Sequence, residues 1–297
     1  MTMSRFLPHA SYRTMKGPLL MVSAAIGFAV LDSLIKLMGP SYRIWDIAFY
    51  RWGIGFILML SIFGRQTGSL FKTANLKLMV IRSITGCIAF FSLIIAIRNI
   101  PISTAMVLFF SFPAFAALFS YLIIGDRIAR GEISCVIMTL CGVAVLLDFK
   151  LDGKFIGYIM GLISAIFAGI TVNLIKLLRE NNGPVVIYFY FCMLGALISL
   201  PGYIADPTIP TGGVEWLMVA GIAISSILAQ ILMNLGFKYC KSWEGGLLLT
   251  TEMVLTAFLG IVVLRELISW RFWTGASMIL ASAVIINLIK ARQRIQD

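Results

Sequence analysis

Residues 34–37 read Leu-Ile-Lys-Leu, and 140 positions later residues 174–177 read Leu-Ile-Lys-Leu again. The same shift carries Phe49-Tyr50 onto Phe189-Tyr190, Ile128 onto Ile268, and Asp126 onto the equivalent acid Glu266, with no gap needed. Both copies lie in hydrophobic surroundings, and each half divides into five hydrophobic stretches. An odd number of spans per copy forces the second copy to enter the membrane from the opposite side. The expected fold is therefore an all-α polytopic membrane protein, with ten transmembrane helices arranged as two inverted five-helix repeats. The repeats are placed at 17–149 and 154–290.

Composition agrees. Of 297 residues, 60% are hydrophobic and 12% charged, with a mean hydropathy of +0.97, whereas soluble domains carry roughly 25% charged residues. A helical span needs about 20 apolar residues. Stretches of that kind occur near 17–38, 44–64, 75–98, 102–124, 131–149, 154–178, 184–205, 213–238, 242–264 and 270–290. Turn signals at Gly39-Pro40, Pro101, Gly183-Pro184 and Asp206-Pro207 separate several of them. The short links predict that successive helices are antiparallel neighbours. The polar N-terminal residues, with Arg5, Arg13 and Lys16, do not form a signal-peptide core, so the first span reads as a retained helix.

The net charge of +11 does not point to nucleic acid, because the basic residues cluster at span ends. With the N-terminus inside, fifteen of the 24 Lys and Arg residues fall on the inner side and seven on the outer, leaving Arg51 and Arg82 within spans. The positive-inside rule then puts both termini in the cytoplasm. The five cysteines, at 87, 135, 141, 192 and 240, show no metal-ligand spacing, and the lone histidine is His9. They read as small packing residues, and neither a metal nor a cofactor is expected.

Charges well inside a span usually face protein or a cavity and need partners. Asp32 in span 1 and Arg51 in span 2 lie at similar depth, and Lys36 follows Asp32 by one helical turn. The three form either a substrate-binding or gating cluster, or a buried ion pair holding spans 1 and 2 together. Arg82 in span 3 either draws an anionic group into the inner mouth or snorkels. Glu252 falls near the middle of span 9, where a carboxyl suits ion coupling, contact with a substrate amine, or a plain interhelical bond. Ser226, Gln230 and Asn234 share one face of span 8, either lining a cavity or gluing helices. In span 4, Ser111-Phe112-Pro113 predicts a kink that frees the carbonyl of Phe109. Tyr50, Tyr188 and Tyr190, with Phe90, Phe91 and Phe112, either stack on a flat substrate or pack helices.

These features together resemble the drug/metabolite transporter superfamily, EamA type, over about residues 17–290. The resemblance is carried by Phe49-Tyr50-Arg51, Arg82, Ala96 to Pro101, Pro113, Gly125-Asp126-Arg127, Glu252, Leu264-Arg265-Glu266 and Gly275. The family's Glu-Pro pair is replaced here by Glu252-Met253, and its Gly-Glu-Arg-like motif survives in the second half only as Glu266. The resemblance implies a secondary transporter in the bacterial inner membrane, moving a small organic metabolite by alternating access around a midplane cavity. It also implies an amino-acid-, nucleoside- or amine-like substrate, and a proton or other ion as coupling partner. The Asp32-x-x-x-Lys36 start with Arg51 and Arg82 is similar to a bacterial subset that includes S-adenosylmethionine and riboflavin importers. A channel or a non-transporting assembly subunit is the alternative. An intramembrane lipid-modifying enzyme is less favoured, since neither a carboxylate cluster nor a catalytic histidine is present.

Overall fold

A chain surrounded by lipid must satisfy its backbone donors and acceptors internally, and the helix does so within a single segment. The structure is a computed structural model describing residues 9–63, 70–124, 130–146, 155–179, 181–239, 242–266 and 269–296. Its described residues form helices α1 (His9–Leu37), α2 (Ile44–Phe63), α3 (Leu76–Asn99), α4 (Ile102–Phe109), α5 (Phe112–Ile124), α6 (Arg130–Leu146), α7 (Phe155–Leu178), α8 (Pro184–Ala205), α9 (Gly213–Tyr239), α10 (Ser242–Val262) and α11 (Trp270–Gln296). Among the described residues, seven helices are long and apolar enough to cross a membrane, and Ile133–Leu146 and Leu248–Val262 are shorter apolar helices. The protein is thus an all-helical, multi-pass membrane protein. The first helix starts earlier than the sequence suggested, at His9, and passes through Pro18.

The expected kink in span 4 is a full break. Pro113 has no N–H to give the carbonyl of Phe109, and the chain tightens instead. Phe110 N bonds Met106 O at 2.8 Å, and Ser111 N bonds Leu108 O at 3.1 Å. Ser111 Oγ also donates to Leu108 O at 2.6 Å. The equivalent helix of the second half, α10, carries Met253 in place of proline and runs unbroken.

Consecutive helices are not the main neighbours. The helix α1 packs along α9 and α10 rather than along α2, while α2 packs along α8, α3 along α7, and α6 along α11. Each of these contacts joins one half of the chain to the other. Under the 140-residue shift the α1–α9 pair becomes the α7–α3 pair, and the α2–α8 and α6–α11 pairs map onto themselves. Because lipid tails are as apolar as the helices, association depends on close packing, which small residues permit. A side chain on Gly27 of α1 would meet Ala229 Cβ of α9 at 3.0 Å. On α11, a Cβ at Gly275 would stand 2.8 Å from the carbonyl oxygen of Gly142 on α6.

At the end of the molecule holding the α1 C-terminus, charges tie helix ends together. Lys36 Nζ donates to the carbonyls of Ile97 and Ile100, the last turn of α3. This corrects its expected place beside Asp32. Glu266 sits at the start of α4, accepting from Ile102 N at 2.5 Å, Ser103 N at 3.2 Å and Ser103 Oγ at 2.7 Å. A lysine at a helix C-terminus and a carboxylate at an N-terminus both match the helix dipole. Glu266, from the second half, therefore caps a helix of the first. Its first-half counterpart, Gly125-Asp126-Arg127, lies outside the described residues.

The crowding at α6–α11 yields a test. Gly275→Leu should lower the melting temperature in detergent by the equivalent of about 1–3 kcal/mol, the usual overpacking cost. Replacing the exposed Leu288 on the same helix by Ala should leave it nearly unchanged. Equal melting of the two variants would show that α6 and α11 do not pack as described.

Candidate functional site

Two arginines lie deep between helices. Arg51 on α2 and Arg82 on α3 are 4% and 3% exposed. Among the described residues, neither forms a direct ion pair with a carboxylate. Arg51 Nε donates to Ser226 Oγ on α9 at 2.7 Å, and its guanidinium stands 3.9 Å over the ring of Phe90. Arg82 stands 4.3 Å over the ring of Phe191 on α8. Trp52 wedges between those two rings, with centroids 5.1 Å from Phe90 and 5.4 Å from Phe191, both edge-on. It fits because Gly195 of α8 has no side chain where the indole lies. The result is an aromatic ladder of Phe90, Trp52 and Phe191 carrying a guanidinium at each end. Each cation–π contact stabilises by about 0.5–2 kcal/mol, more when desolvated. The two arginines lie within each other's electrostatic reach, as do the thiols of Cys87 and Cys192.

Asp32 on α1 and Glu252 on α10 are likewise buried, at 3% and 6% exposure. Their carboxyl groups lie within interaction range of each other, and Arg51 lies near enough to act on both. Two carboxyl groups placed this close can share a hydrogen bond when one of them carries a proton. Arg51 does act on Asp32, as their similar depth suggested, and Glu252 of α10 joins them. The packing of α1 along α10 brings Glu252 to Asp32. Tyr188 on α8 completes the cluster, its hydroxyl facing Cys192, Ser226 and Arg51.

The other sequence candidates lie apart. Tyr50 OH donates to Thr208 O at 2.8 Å, and Tyr190 OH to Phe71 O at 2.9 Å. These shift-related tyrosines tie down the loops after α8 and α2 and are not turned to the arginines. Asn234 Nδ2 bonds Pro184 O at 3.4 Å at the start of α8. Gln230, between Ser226 and Asn234, keeps a buried Oε1 without a hydrogen-bond partner. Ser111 closes the α4–α5 break, and Phe112 packs against Phe109 and Phe110. Ser226 is the member of the expected polar face on α9 that hydrogen-bonds Arg51. Trp52 and Phe191 were not legible as site residues, since nothing distinguishes a buried aromatic from a packing one. The one signal was that Phe191 is the shift partner of Arg51.

Comparison with known proteins agrees with this architecture. A model of the EamA-like transporter family matches the chain twice, over residues 15–148 and 155–288. The pseudopaline exporter CntI of Pseudomonas aeruginosa strain UCBPP-PA14 is 26% identical, over 91% of this chain and 93% of that protein. Human solute carrier family 35 member G1 is 19% identical, over 74% of this chain and 64% of that protein. A protein solved by crystallography shares the fold with a TM-score of 0.64 at 19% identity, covering 93% of this chain and 98% of its own. With two copies of the family's unit filling nearly its whole length, the chain belongs to the EamA-like transporter family, within the drug/metabolite transporter superfamily.

Proposed function

We propose that the protein is a secondary carrier that moves a small organic metabolite across the bacterial inner membrane by alternating access. The two halves, 17–149 and 154–290, act as inverted five-span repeats, with α4 and α5 together forming one of the ten spans. The observation that carries this reading is the buried polar cluster itself. Asp32, Arg51 and Arg82 come from the first half, and Tyr188, Ser226 and Glu252 from the second. All six are buried in one conformation, so a ligand reaches them only if the halves part. The pairing of helices between halves, which exchanges under the 140-residue shift, supports a pseudo-twofold arrangement of that kind.

Both termini are cytoplasmic in this reading, as the distribution of Lys and Arg favours. The Pseudomonas relatives named as exporters favour outward movement. The closed cluster argues for a carrier over an open channel, and transport without catalysis is the simplest use of these groups. Protein in liposomes should show saturable counterflow of its substrate. Flux that rises linearly with concentration and never saturates would sink the carrier reading.

In this reading a proton carried by the Asp32 and Glu252 carboxyls is the coupling ion. Glu252→Gln should abolish accumulation driven by a pH gradient while leaving counterflow of preloaded substrate within about threefold of wild type, a loss under about 1 kcal/mol. Accumulation by the variant that equals wild type across a pH series would reject the coupling role. Asp32→Asn should behave alike. Because the two carboxyls interact, the double variant should be no worse than the poorer single one, with a coupling of about 0.5–3 kcal/mol. Fully additive losses would mean that the residues act separately.

A further inference from the structure

We propose that Arg82, with Arg51 as a second cation, receives an anionic head group of the transported molecule, a carboxylate or a phosphate ester. This names a substrate class for the carrier described above and rests on that reading.

A guanidinium has five N–H donors and no acceptor, and removing it from water is costly unless those donors are used. Arg82 fails that requirement. Its Nε and Nη1 are buried with no hydrogen-bond acceptor. Phe191 covers one face of the group, but a ring face does not occupy the donor edge. The same cluster holds two more unused donors, Trp52 Nε1 and the hydroxyl of Tyr188. Unpartnered groups around the ladder are thus mainly donors.

Among the described residues, the buried and hydrogen-bonded acids do not supply the missing acceptor. Asp32 and Glu252 are engaged with each other. Asp46 is held by Arg43, Glu215 by Tyr42 and Thr211, and Glu266 by Ser103 and Ile102. A planar carboxylate or a tetrahedral phosphate matches the guanidinium fork and can accept two parallel N–H bonds. An amide or an amine does not.

An arginine that only braced helices would have its donors satisfied in the empty protein, and the two roles differ in what removal does. Arg82→Gln removes an unpaired buried charge, so its melting temperature in detergent should equal or exceed that of wild type. Arg82→Lys keeps the charge but loses the fork and serves where the glutamine variant folds poorly. The binding probes are phenylacetate, phenyl phosphate, phenylacetamide and phenethylamine, followed by a wider panel of organic acids with their amides. Carboxylates or phosphate esters should raise the melting temperature of wild type saturably, and the affinity should fall about tenfold or more in Arg82→Lys. A response to carboxylates only, or to phosphate esters only, fixes which head group the fork takes. Stabilisation by amides or amines and by no anion overturns the proposal but leaves the carrier reading intact. Absence of a saturable response to every anion in the panel overturns it as well, whatever the melting temperature of Arg82→Gln. Unsaturable flux of every compound in liposomes fails the carrier reading itself, a separate result.

Discussion

Lipid offers no hydrogen bonds, so any charge placed between these helices must be held by the protein on every side. Arg51 and Arg82 meet part of that constraint by an aromatic route. Each guanidinium lies on a phenylalanine ring, and the two rings are braced by a single tryptophan. The Phe90 ring that holds Arg51 belongs to the first half, and the Phe191 ring that holds Arg82 belongs to the second. Cross-half bonding to Ser226 completes the arrangement. The halves are therefore joined at their centre through the cations, and any separation of the halves must disturb them.

The ends of the helices repeat the logic at lower cost. Glu266 from the second half satisfies the first amides of α4, and Lys36 of α1 satisfies the last carbonyls of α3. Both act beside the link between α3 and α4, where Pro101 ends one helix and begins the next. Farther along the same span Pro113 breaks the helix again. Its equivalent in α10 is continuous and places Glu252 on an intact helix facing Asp32. The asymmetry of the two halves thus puts a helix break on one side of the centre and a carboxyl on the other.

Much of this was readable from residues. The repeated Leu-Ile-Lys-Leu, the acid pair Asp126 and Glu266, and the spacing of apolar stretches are local features, and they specify helices and a duplicated layout. Depth along each span also singled out Asp32, Arg51, Arg82 and Glu252 as charges out of place. Their partners were a different matter. Equal depth on adjacent spans favoured Asp32 with Arg51, and a one-turn spacing favoured Asp32 with Lys36. The first holds in that Arg51 acts on Asp32, but neither foresees partners from helices distant in the chain. In this fold α1 lies against α9 and α10, so Asp32 meets Glu252 and Lys36 meets the end of α3. The tyrosines 50 and 190 show the same limit, since an aromatic hydroxyl in a span can serve a ligand or a loop carbonyl equally well.

The sequence by itself determined that the chain is helical, membrane-embedded and twofold repeated, because hydrophobicity, span length and self-similarity are written along the chain. It also marked which charges required an explanation, since the cost of burying a charge depends on its depth in a span. The tertiary structure alone decided which groups meet. It paired the two carboxyls, set the arginines on Phe90 and Phe191, and left donors of Arg82 without an acceptor. Contact between distant segments is set by how whole helix surfaces fit together, and no single position along the chain carries that information.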